Sequence, residues 1–165
     1  VVWPAWQRIR RGWLEGELGR HHERLAAEIF GHVVRDMLRQ GQPPSPAAWA
    51  VLGCFADEDD IGPALGAALA LQSAGMRVLF LGPRTRTAVV REAAAAVSAA
   101  VVGLSLTEEV STRGARDLVD EYTAAIDGRR WFVTGPGAAS VEAMVQGSGG
   151  DVASEPGDVR GLARP

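Results

Sequence analysis

The sequence is short of the residues that most small-domain chemistry needs. It has one cysteine, Cys54. That excludes a disulfide framework and a cysteine-built zinc site. Its place inside an apolar run reads as a small buried side chain. No apolar stretch reaches the roughly 18 residues of a membrane span. No signal peptide and a cytoplasmic location are expected. Histidine is confined to His21, His22 and His32, so from Ala48 onward there is none for acid, base or metal chemistry. No G-x-G-x-x-G follows the first strand, and there is no P-loop, nucleophile elbow or H-E-x-x-H. The net charge is −3. A chain of that charge does not grip nucleic acid by itself. The five tryptophans are too scattered to form a stacking platform.

What is present is ordinary globular material. Hydrophobic residues make up 47% of the 165 positions and charged residues 22%, enough for one packed domain with a small helical appendage. The first residue is Val1, and the chain is expected to be part of a longer one. Trp6, Ile9 and Trp13 are spaced as a helical face. Gly12, Gly16 and Gly19 predict a break between 12 and 19. From Gly19 to Gln40 the pattern is again helical, with one stripe of Leu25, Ala26, Ile29, Phe30, Val33, Val34, Met37 and Leu38. His22 falls inside that stripe. So wide a stripe must pack on the following domain, on a further helix or on another chain. Gln40 to Pro46 then ends the helix and forms a linker. The expected division is a helical cap over 1–43 and a second domain over 44–165.

After the linker, strand and helix signals alternate. Strands are expected at 48–55, 77–82, 100–106 and 131–134, with a brief fifth at 151–153. Helices are expected at 61–74, from Thr85 or Thr87 to 99, from Ser111 or Thr112 to 127, and at 140–146, with a terminal one over 156–163. The strands are continuous apolar runs, so both sheet faces are covered. This predicts an α/β fold: a doubly wound, flavodoxin-like, parallel five-stranded sheet preceded by a small helical-bundle remnant.

Such sheets bind ligands at the carboxyl ends of their strands. Four places there are distinctive: Asp57-Glu58-Asp59-Asp60-Ile61-Gly62, Leu81-Gly82-Pro83, Ser105-Leu106-Thr107-Glu108-Glu109 and Gly135-Pro136-Gly137. The acidic loop has a plain reading, a solvated turn whose charge suits the next helix's N-terminus. Ser105 and the Gly135–Gly137 turn likewise read as strand-end turns.

In this order, the places resemble the cobalamin-binding domain shared by corrinoid enzymes and cobalamin sensors. That family carries D-x-H-x-x-G, S-x-L or S-x-T, and Gly-Gly after its first, third and fourth strands. The matches here are Asp57-x-Asp59-x-x-Gly62, Ser105-Leu106-Thr107 and Gly135-Pro136-Gly137. The resemblance implies a cobalamin cofactor, with the serine and the glycines lining a slot for its dimethylbenzimidazole tail. The head is similar to that of light-sensing regulators of the CarH type, related to MerR regulators, whose bundle carries W-x9-E-H. Trp13 and Glu23 have that spacing; Arg24 stands in place of the histidine. The resemblance implies that Trp13 and Glu23 cover the upper ligand. It also implies a sensory domain rather than an enzyme, oligomerising through the cap and reaching DNA only through a module outside this chain.

Asp59 stands where the family's lower axial histidine would be. A carboxylate is a harder, charged donor than imidazole, so the usual histidine-on complex is not expected. His22 has two readings: an ordinary helix residue, or a side chain facing the sheet edge that ligates the metal or pairs with Asp59. The competing functions are a corrinoid-carrying domain of a methyltransferase or mutase system, and a ligand-free domain kept for protein contact.

Overall fold

The computed structural model describes residues 2–155 and 157–163, apart from the side chains of Val2, Arg20 and Glu23. The head is two helices, α1 (Val2–Leu14) and α2 (Arg20–Gln40). The turn between them starts later than the glycine spacing predicts. Helix α1 runs through Gly12, whose carbonyl then accepts the Glu17 and Leu18 amides at 2.8 and 3.1 Å. Reversal falls instead on Gly16 at φ +77°, a backbone angle that glycine adopts without a Cβ clash.

The rest alternates strand and helix: β1 (Trp49–Cys54), α3 (Gly62–Ser73), β2 (Arg77–Phe80), α4 (Thr87–Ala96), β3 (Val101–Ser105), α5 (Thr112–Ile126), β4 (Arg130–Thr134), α6 (Glu142–Gly147) and β5 (Asp151–Ala153). Two 3₁₀ turns complete it, Pro136–Val141 before α6 and Asp158–Ala163 at the end. The second replaces the expected terminal helix; Pro156 lies outside the described residues. The start of α4 also departs from expectation. Its N-cap is Arg86 with no side-chain bond, while Thr85 Oγ1 donates to the Gly82 carbonyl at 2.9 Å. Ser111 does cap α5, accepting the Gly114 amide at 3.4 Å.

All five strands are parallel, in the order β2-β1-β3-β4-β5. The chain leaves β1 in one direction and returns to β3 on its other side. Their carboxyl ends therefore diverge into a crevice, the usual ligand position in such a sheet. Register puts Cys54 beside Ser105 and Ser105 beside Thr134 at that edge.

One sheet face is covered by α3, with α2 outside it. Helix α3 is buried almost all round, which suits its alanine and leucine composition and the lack of a polar face. The other face packs Val90, Val119, Tyr122 and Val145 from α4, α5 and α6. The stripe of α2 divides. Phe30, Val34 and Leu38 are buried, and Trp6 of α1 stacks on Phe30 at 4.7 Å between centroids. Leu25, Ile29, Val33 and Met37 form an exposed row, 41–62% accessible. No helix among the described residues is long and apolar enough to cross a membrane.

Candidate functional site

The acidic loop leaves β1 at the crevice, and its four carboxylates are not equivalent. Glu58 turns inward and is buried. Its Oε1 accepts the Asp60 amide at 2.9 Å and its Oε2 accepts the Thr107 amide at 2.5 Å. One side chain thus ties the loop after β1 to the loop after β3. Asp60 Oδ1 accepts the Gly62 amide at 2.8 Å, closing an Asx turn at the start of α3. Its other oxygen lies 3.4 Å from Arg10 of α1, so the head is joined to the loop.

Asp59 faces outward and meets Arg84 from the loop after β2. Arg84 Nε and Nη2 donate to its two oxygens, each at 2.6 Å. Those hydrogen bonds, with the guanidinium charge, hold the Asp59 carboxyl below the usual carboxylate range, against slight desolvation. Asp57 is exposed. Beneath the loop, the Cys54 thiol donates to the Asp60 carbonyl at 3.7 Å. Burial pushes that thiol up to about 12, with Ser105 lowering it in part.

Above the loop, a cavity of about 1040 Å³ opens between the head and the sheet edge. Trp6 and Trp13 of α1 and Phe30 of α2 line its roof; Phe55, Ile61 and Leu106 line its floor. Seven carboxylate side chains and three guanidinium groups line it too, so its field is acidic. The indole nitrogen of Trp6 and the hydroxyl of Thr107, both on this cavity, are buried without hydrogen-bond partners.

The expected site residues separate into two groups. Trp13, Asp57, Asp59, Gly62 and Thr107 all line the cavity. Ser105, Gly135 and Gly137 do not. The side chain of Glu23 lies outside the described residues; its neighbours Arg24 and Glu28 line the cavity. His22 does not face the sheet edge. It is exposed, its ring 3.9 Å from that of His21, and it neither lines the cavity nor touches Asp59. Its position on the apolar stripe misleads because that end of the stripe is exposed, as Leu25 beside it is. Among the described residues, no group of three or more His, Cys, Asp or Glu side chains is placed to hold a metal ion.

Three contributors carried little signal in the sequence. Glu58 looks like its acidic neighbours, and only the inward turn of the loop distinguishes it. Arg84 and Arg10 are single arginines with no motif; their partners are 25 and 50 positions away, and only folding reveals them.

The cofactor implied by the resemblance fits this site in part. The cavity has room for a flat ring of the corrin class. The position beneath does not fit the histidine-on form, because among the described residues no histidine lines the cavity and both Asp59 oxygens are engaged. The tail slot does not fit either. Ser105 is fully buried. A Cβ on Gly135 would meet the Leu106 carbonyl oxygen at 2.5 Å, and one on Gly137 would collide with the Glu108 carbonyl. The Phe132 ring covers Gly103 in the same way. These glycines let loops and strands approach one another; they do not hold space open for a tail.

No family model and no curated protein matches the chain. Solved structures do. The monomethylamine corrinoid protein of Methanosarcina barkeri aligns at 13% identity over 96% of this chain and 76% of its own, with a TM-score of 0.69. A cobalamin-binding protein from Desulfitobacterium hafniense aligns at 19% identity over 95% and 75%, with a TM-score of 0.56. The methanol:cobalamin methyltransferase complex MtaBC of Methanosarcina barkeri aligns at 14% identity over 98% of this chain and 63% of that one, at 0.62. The chain therefore has the fold of these corrinoid proteins: a parallel five-stranded α/β sheet with its helices, preceded by a helical head.

Proposed function

We propose that this chain is a ligand-binding domain of the corrinoid-protein type. It takes a flat, amide-rimmed ring in the cavity between the head and the carboxyl ends of β1 and β3. The observation that carries this reading is the place of the cavity. It sits at the switch point of the sheet, is roofed by two tryptophans, and is large enough for a ring. The acidic lining favours a ligand offering N–H donors and positive charge over an anionic one. The fold likeness to corrinoid and cobalamin-binding proteins supports the same class.

The role best supported is carriage of a corrinoid for a partner enzyme, since one of the similar structures is a methyltransferase complex. A sensory role in a transcription regulator is the second reading, and one observation favours it: Trp13 lines the roof, as the regulator's cap motif requires. In either role the head, 1–43, acts as a lid on the sheet domain, 44–165.

The test is gel filtration and absorption spectroscopy of the protein mixed with cobalamin, and separately with cobinamide, which lacks the nucleotide tail. Both are expected to co-elute with the protein, and bound cobalamin is expected to keep its base-on spectrum. Co-elution of neither overturns the corrinoid reading. A change of oligomeric state on loading or illumination would move the role from carriage to sensing.

A further inference from the structure

We infer that the open edge of β2 is a second binding site, beside the cavity under the head, for an extended peptide segment with Asp or Glu opposite Phe80. The segment adds next to β2, exchanges main-chain hydrogen bonds with Phe80 and sets its carboxylate against Arg35 and Arg39. This inference does not depend on the corrinoid reading.

The edge itself is the first support. Strand β2 ends the sheet and pairs with β1 alone. The Arg77 and Leu81 amides donate inward, to the Ala48 and Leu52 carbonyls, at 2.9 and 2.7 Å. Alternation along the strand therefore turns the main-chain groups of Val78 and Phe80 outward. Val78 has a partner there. Gln42 Nε2 donates to its carbonyl at 2.8 Å, and its amide donates to Gln42 Oε1 at 3.0 Å. These are the two bonds that an opposite residue of an antiparallel strand exchanges. The Gln42 side chain thus stands in for a strand at Val78. Phe80, two residues on, has no such counterpart among the described residues. An unpaired edge of this kind is a template for another chain.

Charge is the second support. A groove of about 560 Å³ lies between this edge and the C-terminal half of α2. Trp49, Val78 and Phe80 give it apolar surface. Arg35 and Arg39, four apart on one face of α2, are the charged side chains that line it among the described residues. The Arg35 guanidinium lies 5.9 Å from the centre of the Phe80 ring. No described carboxylate meets it. Arg39 bonds Asp36 at 2.9 Å, outside the groove. Residues directly opposite in a ladder place their side chains on the same face. The Phe80 side chain packs on the face that α2 and α3 cover. A residue opposite Phe80 therefore aims its side chain at the arginines, and a carboxylate there gains charge-assisted bonds. A second copy of the chain fits less well, because joining two such edges would set Arg35 and Arg39 against their own counterparts.

Nitrogen-15 NMR titration with the blocked peptide acetyl-Thr-Val-Glu-Val-Thr-amide, and with its Gln counterpart, tests this. The Glu peptide is expected to shift the Phe80 amide and slow its exchange. It is expected to bind about tenfold tighter than the Gln peptide, as a charge-assisted bond allows. Arg35→Ala should remove most of that preference while the spectrum elsewhere keeps its dispersion. Arg35→Glu should favour the Lys peptide over the Glu one. Unmoved Phe80 signals with both peptides overturn the inference, as do shifts confined to the cavity under the head, or equal binding of Glu and Gln peptides. A Phe80 shift that follows protein concentration without peptide, together with dimers in sedimentation, assigns the edge to a second copy and overturns it too.

Discussion

Glu58 accepts the backbone amide of Thr107 at 2.5 Å, across the crevice between β1 and β3. A buried carboxylate thus does for the two ligand-facing loops what a ladder bond does for the strands below. Glu58→Ala would leave the Thr107 and Asp60 amides without their acceptor. Hydrogen bonds to charged groups contribute about 1.5–3 kcal/mol, and a loss of that order is expected in urea unfolding. Asp57→Ala, whose side chain is exposed, is the control and should lie within about 0.5 kcal/mol of wild type.

Arg84 sets the titration of Asp59. In the folded protein the Asp59 carboxyl lies below its ordinary value. Its pairing therefore contributes fully above the unfolded pKa, about 3.9, and is lost as pH falls through the folded one. Carbon-13 NMR of the side chain should show Asp59 titrating below the ordinary range in the wild type and within it in Arg84→Ala. Identical curves would mean that the pair does not form in solution.

Gly103 and Phe132 test whether the tail slot is closed. A methyl at Gly103 would enter the Phe132 ring, and overpacking of this kind costs roughly 1–3 kcal/mol. Gly103→Ala should lower the unfolding midpoint. Adding Phe132→Leu should recover part of that loss, because the smaller side chain makes room. Full tolerance of Gly103→Ala alone would show space at this point of the core.

Cys54 is buried with its thiol raised to about 12, chiefly by desolvation. It is expected to resist thiol reagents at pH 8 at the rate set by unfolding, and to react freely in denaturant. Because the folded pKa is raised, its contribution to stability is full below the unfolded pKa, near 8.5. That contribution diminishes as pH climbs toward 12. Rapid labelling of the native protein would contradict this burial.

Trp13 lines the cavity roof without belonging to the buried core. Trp13→Ala should weaken cobinamide retention about tenfold or more, by loss of aromatic contact area, while leaving the unfolding midpoint nearly unchanged. Trp6→Ala should lower both, since Trp6 also stacks on Phe30.

The layout of the sheet was legible in the sequence because its information is local. Each strand is a short apolar run, each crossover a helical pattern, and each carboxyl end a cluster of glycines, serine or acids. The exact match at 151–153 and the near matches elsewhere follow from that. The head was less legible. Eight apolar positions on α2 look alike on a helical wheel, yet α1 and α3 cover only some of them, leaving Ile29 exposed and Phe30 buried.

The sequence by itself determined the parallel α/β fold and the sheet edge at which such folds take their ligands. Those follow from residue type and short-range pattern. The tertiary structure alone decided what three acids of the loop do: Glu58 buried against Thr107, Asp59 held by Arg84, Asp60 closing the turn into α3 and reaching Arg10. Four adjacent carboxylates have nearly the same chemistry in an extended chain. Only the partners brought to them by folding, from α1, β2 and β3, make them different.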